Sequence, residues 1–142
     1  MKEKTEMDRK MNPFREGLFE VGEDGAGRLL THRCERCGVN FFPRRKKCIR
    51  CQRSDRLKET SLSRNGKLYT YTTVYQAFAA FPAPYMIGYV DFEEEGLRVF
   101  AQLTGCTAEE LEVGREMELV FEALPLSGEG KEKITYKFRP VR

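Results

Sequence analysis

A chain of 142 residues has room for one ordinary domain, or for a small domain with an appended module, and its 40% hydrophobic and 33% charged residues exclude a disordered polypeptide. No apolar run approaches the roughly 18 residues that a membrane helix needs, so no membrane association is expected. The net charge of +3 is unevenly placed: between His32 and Lys58 ten Lys or Arg face only Glu35 and Asp55, for +8, and the remaining 15 cations and 20 acids carry −5.

Residues 1–11 read as a frayed, charged tail without the apolar stretch of a secretory signal, which makes the cytoplasm the expected compartment. Asn12 as N-cap and Pro13 at the first helical position then predict a short amphipathic helix. Phe14, Leu18 and Phe19 fall on one of its faces, and it ends near Gly22 in the turn GEDGAG. Arg28 to Thr31 reads as a strand leading into a cysteine-rich stretch. Beyond Cys51 the composition changes. Residues 66–76, rich in Tyr, Thr and Val, alternate as a strand should, and an apolar, proline-interrupted loop (AFAAFPAP) follows. Further strands are predicted over 85–92, 97–104, 116–124 and 134–141, with EEEG and LSGEGKEK as turns. A short helical turn over 107–114 opens on Thr107, and Glu110 completes a capping box. Five short strands with one small helix after the third describe an OB-fold, a Greek-key barrel with that order of elements. The expected architecture is therefore mainly β, with a tail over 1–11, a helix and metal ribbon over 12–58, and a five-stranded OB-fold over 59–142.

Four of the five cysteines lie within 18 residues as two C-x2-C pairs, Cys34/Cys37 and Cys48/Cys51, with ten residues between the pairs. In a reducing compartment such a cluster is a metal site rather than a disulfide framework. A C-x2-C turn points two sulfurs at one ion, and Gly38 permits the tight turn that aims backbone N–H groups at a thiolate. With all four positions filled by cysteine no coordination site stays open, so the metal is structural or, as iron, electron-transferring. Zinc is favoured over iron because the second knuckle, CIRCQ, lacks the Pro and Gly usual in rubredoxin-type sites. His32, beside the cluster, has no place among the ligands. Cys106 reads as a partly buried structural thiol, since a cysteine nucleophile needs a histidine base and His32 is the only histidine.

These residues resemble the DUF35 family, which joins a rubredoxin-like zinc ribbon to a C-terminal OB-fold. The similarity runs from about Phe14 to Val141. It is carried by F14-R-E-G-L, C34-E-R-C-G, F42-P-R, C48-I-R-C, G66-K-L-Y-T-Y-T-T-V, P84-Y-M-I-G-Y-V-D-F, G96-L-R-V-F-A-Q-L, L111-E-V-G and Y136-K-F-R-P, in that order and spacing. Ile49 departs from the pattern, the family often having proline there. The resemblance implies a non-catalytic subunit of a thiolase-like enzyme in acyl-CoA metabolism. A thiolase-like protein is then the implied partner, and an acyl-CoA a ligand it shares.

On that reading Arg44, Arg45, Lys46 and Lys47 would meet CoA phosphates or the partner. Phe78, Phe81, Pro82, Pro84 and Tyr85 would give an apolar surface for the acyl chain or the partner. The plainer alternatives are a solvated face whose charge offsets the thiolates, and a lid over the barrel's own core. The competing function is a nucleic-acid-binding module, because OB-folds stack single strands over basic grooves. The acidic barrel disfavours it, since phosphates avoid EEEG and EEL. An independent enzyme lacks a nucleophile–base pair here, and an electron carrier would need iron.

Overall fold

The structure, a computed structural model, describes residues 17–21, 27–76, 83–124 and 133–142. Nine strands follow in chain order: β1 (Phe19–Val21), β2 (Gly27–Cys34), β3 (Val39–Phe41), β4 (Leu57–Ser61), β5 (Asn65–Val74), β6 (Tyr85–Phe92), β7 (Leu97–Leu103), β8 (Glu116–Leu124) and β9 (Lys133–Pro140). A 3-10 turn, Ala108–Glu110, lies between β7 and β8. No α-helix occurs among the described residues.

The expected N-terminal helix is therefore corrected over its described part. Gly17 has φ +84°, outside helical space, and Phe19–Val21 pair antiparallel with Gly27–Leu29. A short helix without a partner surface is marginal in water. As a strand, by contrast, the segment satisfies its backbone groups on β2 and sets the Phe19 ring 4.9 Å from that of Phe121. Asn12, Pro13 and Phe14, the tail over 1–11, and the loop residues Phe78, Phe81 and Pro82 lie outside the described residues.

β2 is longer than the Arg28–Thr31 expected and pairs antiparallel with three strands. Gly27–Leu29 meet β1, His32–Cys34 meet β3, and Leu30–Cys34 meet β4. The short polar segments VNF and LKETS become strands only because β2 offers them backbone partners. The other five strands close a barrel in the order β5-β6-β7-β9-β8, antiparallel except for the β7–β9 seam, where Leu103 registers with Phe138. This is the OB-fold order expected. The helical turn over 107–114 is shorter than its sequence suggests. Thr107 donates from both its backbone N–H and its hydroxyl to Glu110 Oε1 (3.3 Å each), and Tyr71 donates to the Leu111 carbonyl at 3.1 Å.

Alternation explains the barrel interior. Val90 and Phe92 of β6, Val99, Ala101 and Leu103 of β7, Met117 and Leu119 of β8, and Phe138 of β9 are all buried. Burying each such side chain stabilises by about 1.5–3 kcal/mol. Phe19, Leu29 and Leu62, from outside the barrel, belong to the same cluster. The small sheet is thus not a separate body with its own core. Asn40 also donates to the Glu95 carbonyl at 2.9 Å, and the Phe42 ring packs edge-on against Tyr136 at 5.7 Å.

The two parts approach closely at Gly27. A Cβ there would collide with the edge of the Phe121 ring and lie 2.6 Å from the Glu20 carbonyl oxygen. Gly27→Ala should therefore lower the unfolding free energy by about 2–3 kcal/mol in urea titrations, an overpacking penalty, rather than give the small gain usual for removing a glycine.

Candidate metal centre

β2 carries Cys34 to its buried end, and the chain then turns so that Cys37 faces back. The turn closes through the Gly38 N–H, which donates to the Cys34 carbonyl at 2.7 Å with Gly38 at φ +71°. The second knuckle repeats the device. The Gln52 N–H donates to the Cys48 carbonyl at 3.1 Å, and Gln52 takes φ +64°. A non-glycine residue in left-handed space costs about 1 kcal/mol, so the second turn is held by its surroundings rather than by its own preference. Two backbone bonds provide that hold: Cys48 N–H to the Arg53 carbonyl and Glu35 N–H to the Arg56 carbonyl, each 2.9 Å.

The four sulfurs lie within 4.8 Å of one another. Cys34 Sγ is 3.8 Å from Cys51 Sγ, and Cys37 Sγ is 4.0 Å from Cys48 Sγ. A tetrahedron of sulfurs about 2.3 Å from a central ion has edges of about 3.8 Å, whereas a disulfide needs about 2.05 Å. The four cysteines are thus placed to hold one metal ion, with no position left for water or substrate.

The thiols are not equivalent. The N–H groups of Cys51 and Arg50 donate to Cys48 Sγ at 3.5 and 3.3 Å, and these bonds lower its pKa to about 6. Cys37 is pushed up to about 12 by desolvation and by hydrogen bonding with the other three sulfurs. Cys48 is thus disposed to be a thiolate beforehand, whereas Cys37 ionises when a cation arrives to share its charge.

His32 is not a ligand. Its Nδ1–H donates to the Arg45 carbonyl at 2.8 Å while its ring packs edge-on to Phe41, so it pins the basic loop to β2. Within that loop Arg44 is already engaged, through Nη1 to Glu59 (3.0 Å) and Nε to the Gly17 carbonyl (3.3 Å). Arg45, Lys46 and Lys47 are exposed. Pro84 is exposed beside a half-buried Tyr85. Cys106 is half-buried and its thiol is pushed up by desolvation first and by Glu110 second. The clamp made by His32 and the left-handed Gln52 leave no mark in the residue pattern. The outward aromatics Tyr69, Tyr89 and Phe100 do, through the alternation of β5, β6 and β7 once a face is assigned.

With this geometry in place, residues 59–122 match the family described as ChsH2, C-terminal OB-fold domain. The chain is 37% identical over 116 residues to a DUF35 domain-containing scaffold protein of Methanocaldococcus jannaschii, covering 80% of this chain and 82% of that protein. It is 35% identical over 129 residues to the benzoylsuccinyl-CoA thiolase subunit BbsA of Thauera aromatica, covering 90% and 88%. A chain of the Ltp2–ChsH2(DUF35) aldolase superposes with TM-score 0.62 at 25% identity, covering 80% of this chain and 84% of that one. A ribbon of two C-x2-C knuckles seated on a five-stranded OB barrel, together with these similarities, makes this chain a member of the DUF35 family.

Proposed function

We propose that this chain is a non-catalytic, zinc-containing subunit of a thiolase-like acyl-CoA enzyme complex, acting in the cytoplasm as a scaffold and helping to hold the acyl-CoA. The observation that carries the reading is the match across 90% of the chain to a protein named as a thiolase subunit. The geometry supports it from the other side. The metal site is closed, His32 is committed to the Arg45 carbonyl, and the Cys106 thiol is kept protonated near neutral pH, so neither residue offers a nucleophile–base pair. Catalysis then belongs to the partner.

Zinc fits the four-sulfur set, and its contribution is to fold a ribbon too small to bury a core of its own. For the acyl-CoA, Arg45, Lys46 and Lys47 are the cations available to phosphates, Arg44 being bonded to Glu59 and Gly17. Pro84 and Tyr85 mark one end of the apolar surface assigned to the acyl chain or the partner.

The purified protein should be colourless with one equivalent of zinc, and a red, iron-loaded protein would argue for electron transfer instead. Zinc affinity should fall with acid, because protons compete for the thiolates. Calorimetry in buffers of different ionisation enthalpy should show one more proton released per zinc below pH about 6 than above it, the pH at which Cys48 gains a proton to lose.

Alone, the chain should have no thiolase activity, and it should co-purify with a larger protein bearing a nucleophilic cysteine. A monomer that ignores a co-expressed thiolase-like protein would sink the proposal. In the complex, replacing Arg45, Lys46 and Lys47 together by Ala should raise KM for the acyl-CoA about tenfold without loss of assembly. Arg44→Ala should instead leave KM alone and lower stability by about 1 kcal/mol.

A further inference from the structure

The outer face of β5, β6 and β7 carries three large aromatic side chains that none of the described residues covers. Tyr69 is 47% exposed, Tyr89 41% and Phe100 49%. Tyr89 and Phe100 are cross-strand neighbours, with ring centroids 5.4 Å apart. One step along the same face, about 7 Å further, the pair Asp91–Arg98 is joined by an ion pair of 2.6 Å. The Arg98 guanidinium lies 3.3 Å from the centre of the Tyr69 ring. The irregularity between Leu68 and Thr70 turns both Tyr69 and Thr70 outward, so a third aromatic joins the patch from β5. At roughly half exposure each, the three rings present about 300 Å² of contiguous apolar surface. Patches of that size on monomers are commonly functional.

What surrounds the patch decides what fits it. Beyond Asp91 and Arg98 the β6–β7 hairpin carries Glu93, Glu94 and Glu95, and Glu116 joins them around a cleft of about 390 Å³. Among the described residues lining this cleft and the one beside it, these five acids meet two cations, Lys67 and Arg98. A nucleic-acid strand would bring phosphates to an acidic rim, a repulsive arrangement. A second copy docked face to face about a two-fold axis would offer the same acid-bearing surface and not a cationic socket.

We infer that the Tyr69–Tyr89–Phe100 face is a docking surface for a protein presenting an apolar socket edged with Lys or Arg. The inference rests on the thiolase-like partnership proposed above and assigns that partner's contact to the barrel face rather than to Arg45, Lys46 and Lys47. Arg98 holds Tyr69 flat and is itself held by Asp91, so the centre of the patch is preorganised and few rotamers remain to be frozen on binding. Aromatic anchors inside a charged rim are the usual hot spots of protein interfaces.

The test uses the zinc-loaded full chain and the thiolase-like protein co-expressed with it. Tyr89→Ser combined with Phe100→Ser should weaken the complex at least 30-fold, and Glu94→Lys severalfold, with zinc content unchanged. Hydroxyl-radical footprinting of the unmodified complex should show Tyr89 and Phe100 protected, while Tyr75, outside the patch, stays reactive. That second measurement decides the matter if the double variant fails to fold. A complex that forms with affinity within threefold in the double variant, or with both rings still reactive, overturns this surface and leaves the partnership standing. No complex with the unmodified chain overturns both. Self-association, or binding of a single-stranded oligonucleotide, that is lost in the double variant would assign the face to those occupants instead.

Discussion

Everything in this molecule hangs on how β2 is seated. Its first residues run against β1 and lie beside Phe121 of β8 with no side chain in between, because Gly27 has none to offer. Leu29 then enters the barrel's own core, and five residues later the same strand ends in Cys34, one of the four clustered cysteines. A single extended segment therefore fixes the distance and orientation between a packed hydrophobic interior and a four-sulfur site. The two knuckles need no core because they inherit one. Cys34 is positioned by a ladder of backbone bonds to β3 and β4, and those strands are anchored through Leu62, Asn40 and Phe42 to the barrel.

This coupling explains which parts of the architecture were legible in the residues. The barrel strands over 85–92, 97–104, 116–124 and 134–141 announce themselves because each has one buried and one wet face, which forces a period of two. The knuckles are legible for a different reason, since tetrahedral thiolate coordination leaves few spacings to choose from. The stretch from Leu18 to Val21 misleads because Leu18 and Phe19 suit a helical face as well as Phe19 and Val21 suit a strand, and only the tertiary partner Leu29 decides. VNF and LKETS have no pattern at all. The engagement of Arg44 was equally hidden, because its partner Glu59 is 15 residues away and adjacent only once β4 lies on β2.

The charge distribution acquires a spatial sense once the fold is known. The cations of residues 32–58 share their stretch of chain with the four cysteines. A metal of charge +2 held by four thiolates would leave −2, a charge that the exposed Lys and Arg there would offset. The acids Asp91, Glu93, Glu94, Glu95 and Glu116 gather around the cleft at the β6–β7 turn. Clusters of opposite sign on one surface orient an approaching partner through their field before any side chain touches.

The parallel seam between β7 and β9 has a kinetic consequence. Its ends lie far apart in the chain, and it is narrow: Leu103 opposite Phe138, with the Thr104 N–H on the Phe138 carbonyl at 2.9 Å. Across it runs a polar clip. Thr104 donates to Glu122 at 2.9 Å and the buried Lys137 donates to the same carboxylate at 3.2 Å, so β7, β8 and β9 are joined through one acid. None of these bonds exists until the loop entropy of closing a long stretch of chain has been met, so barrel closure comes late and is slow for a domain of this size. Once made, the clip ties the last strand to the rest, which should slow the exchange of the amides along the seam with solvent.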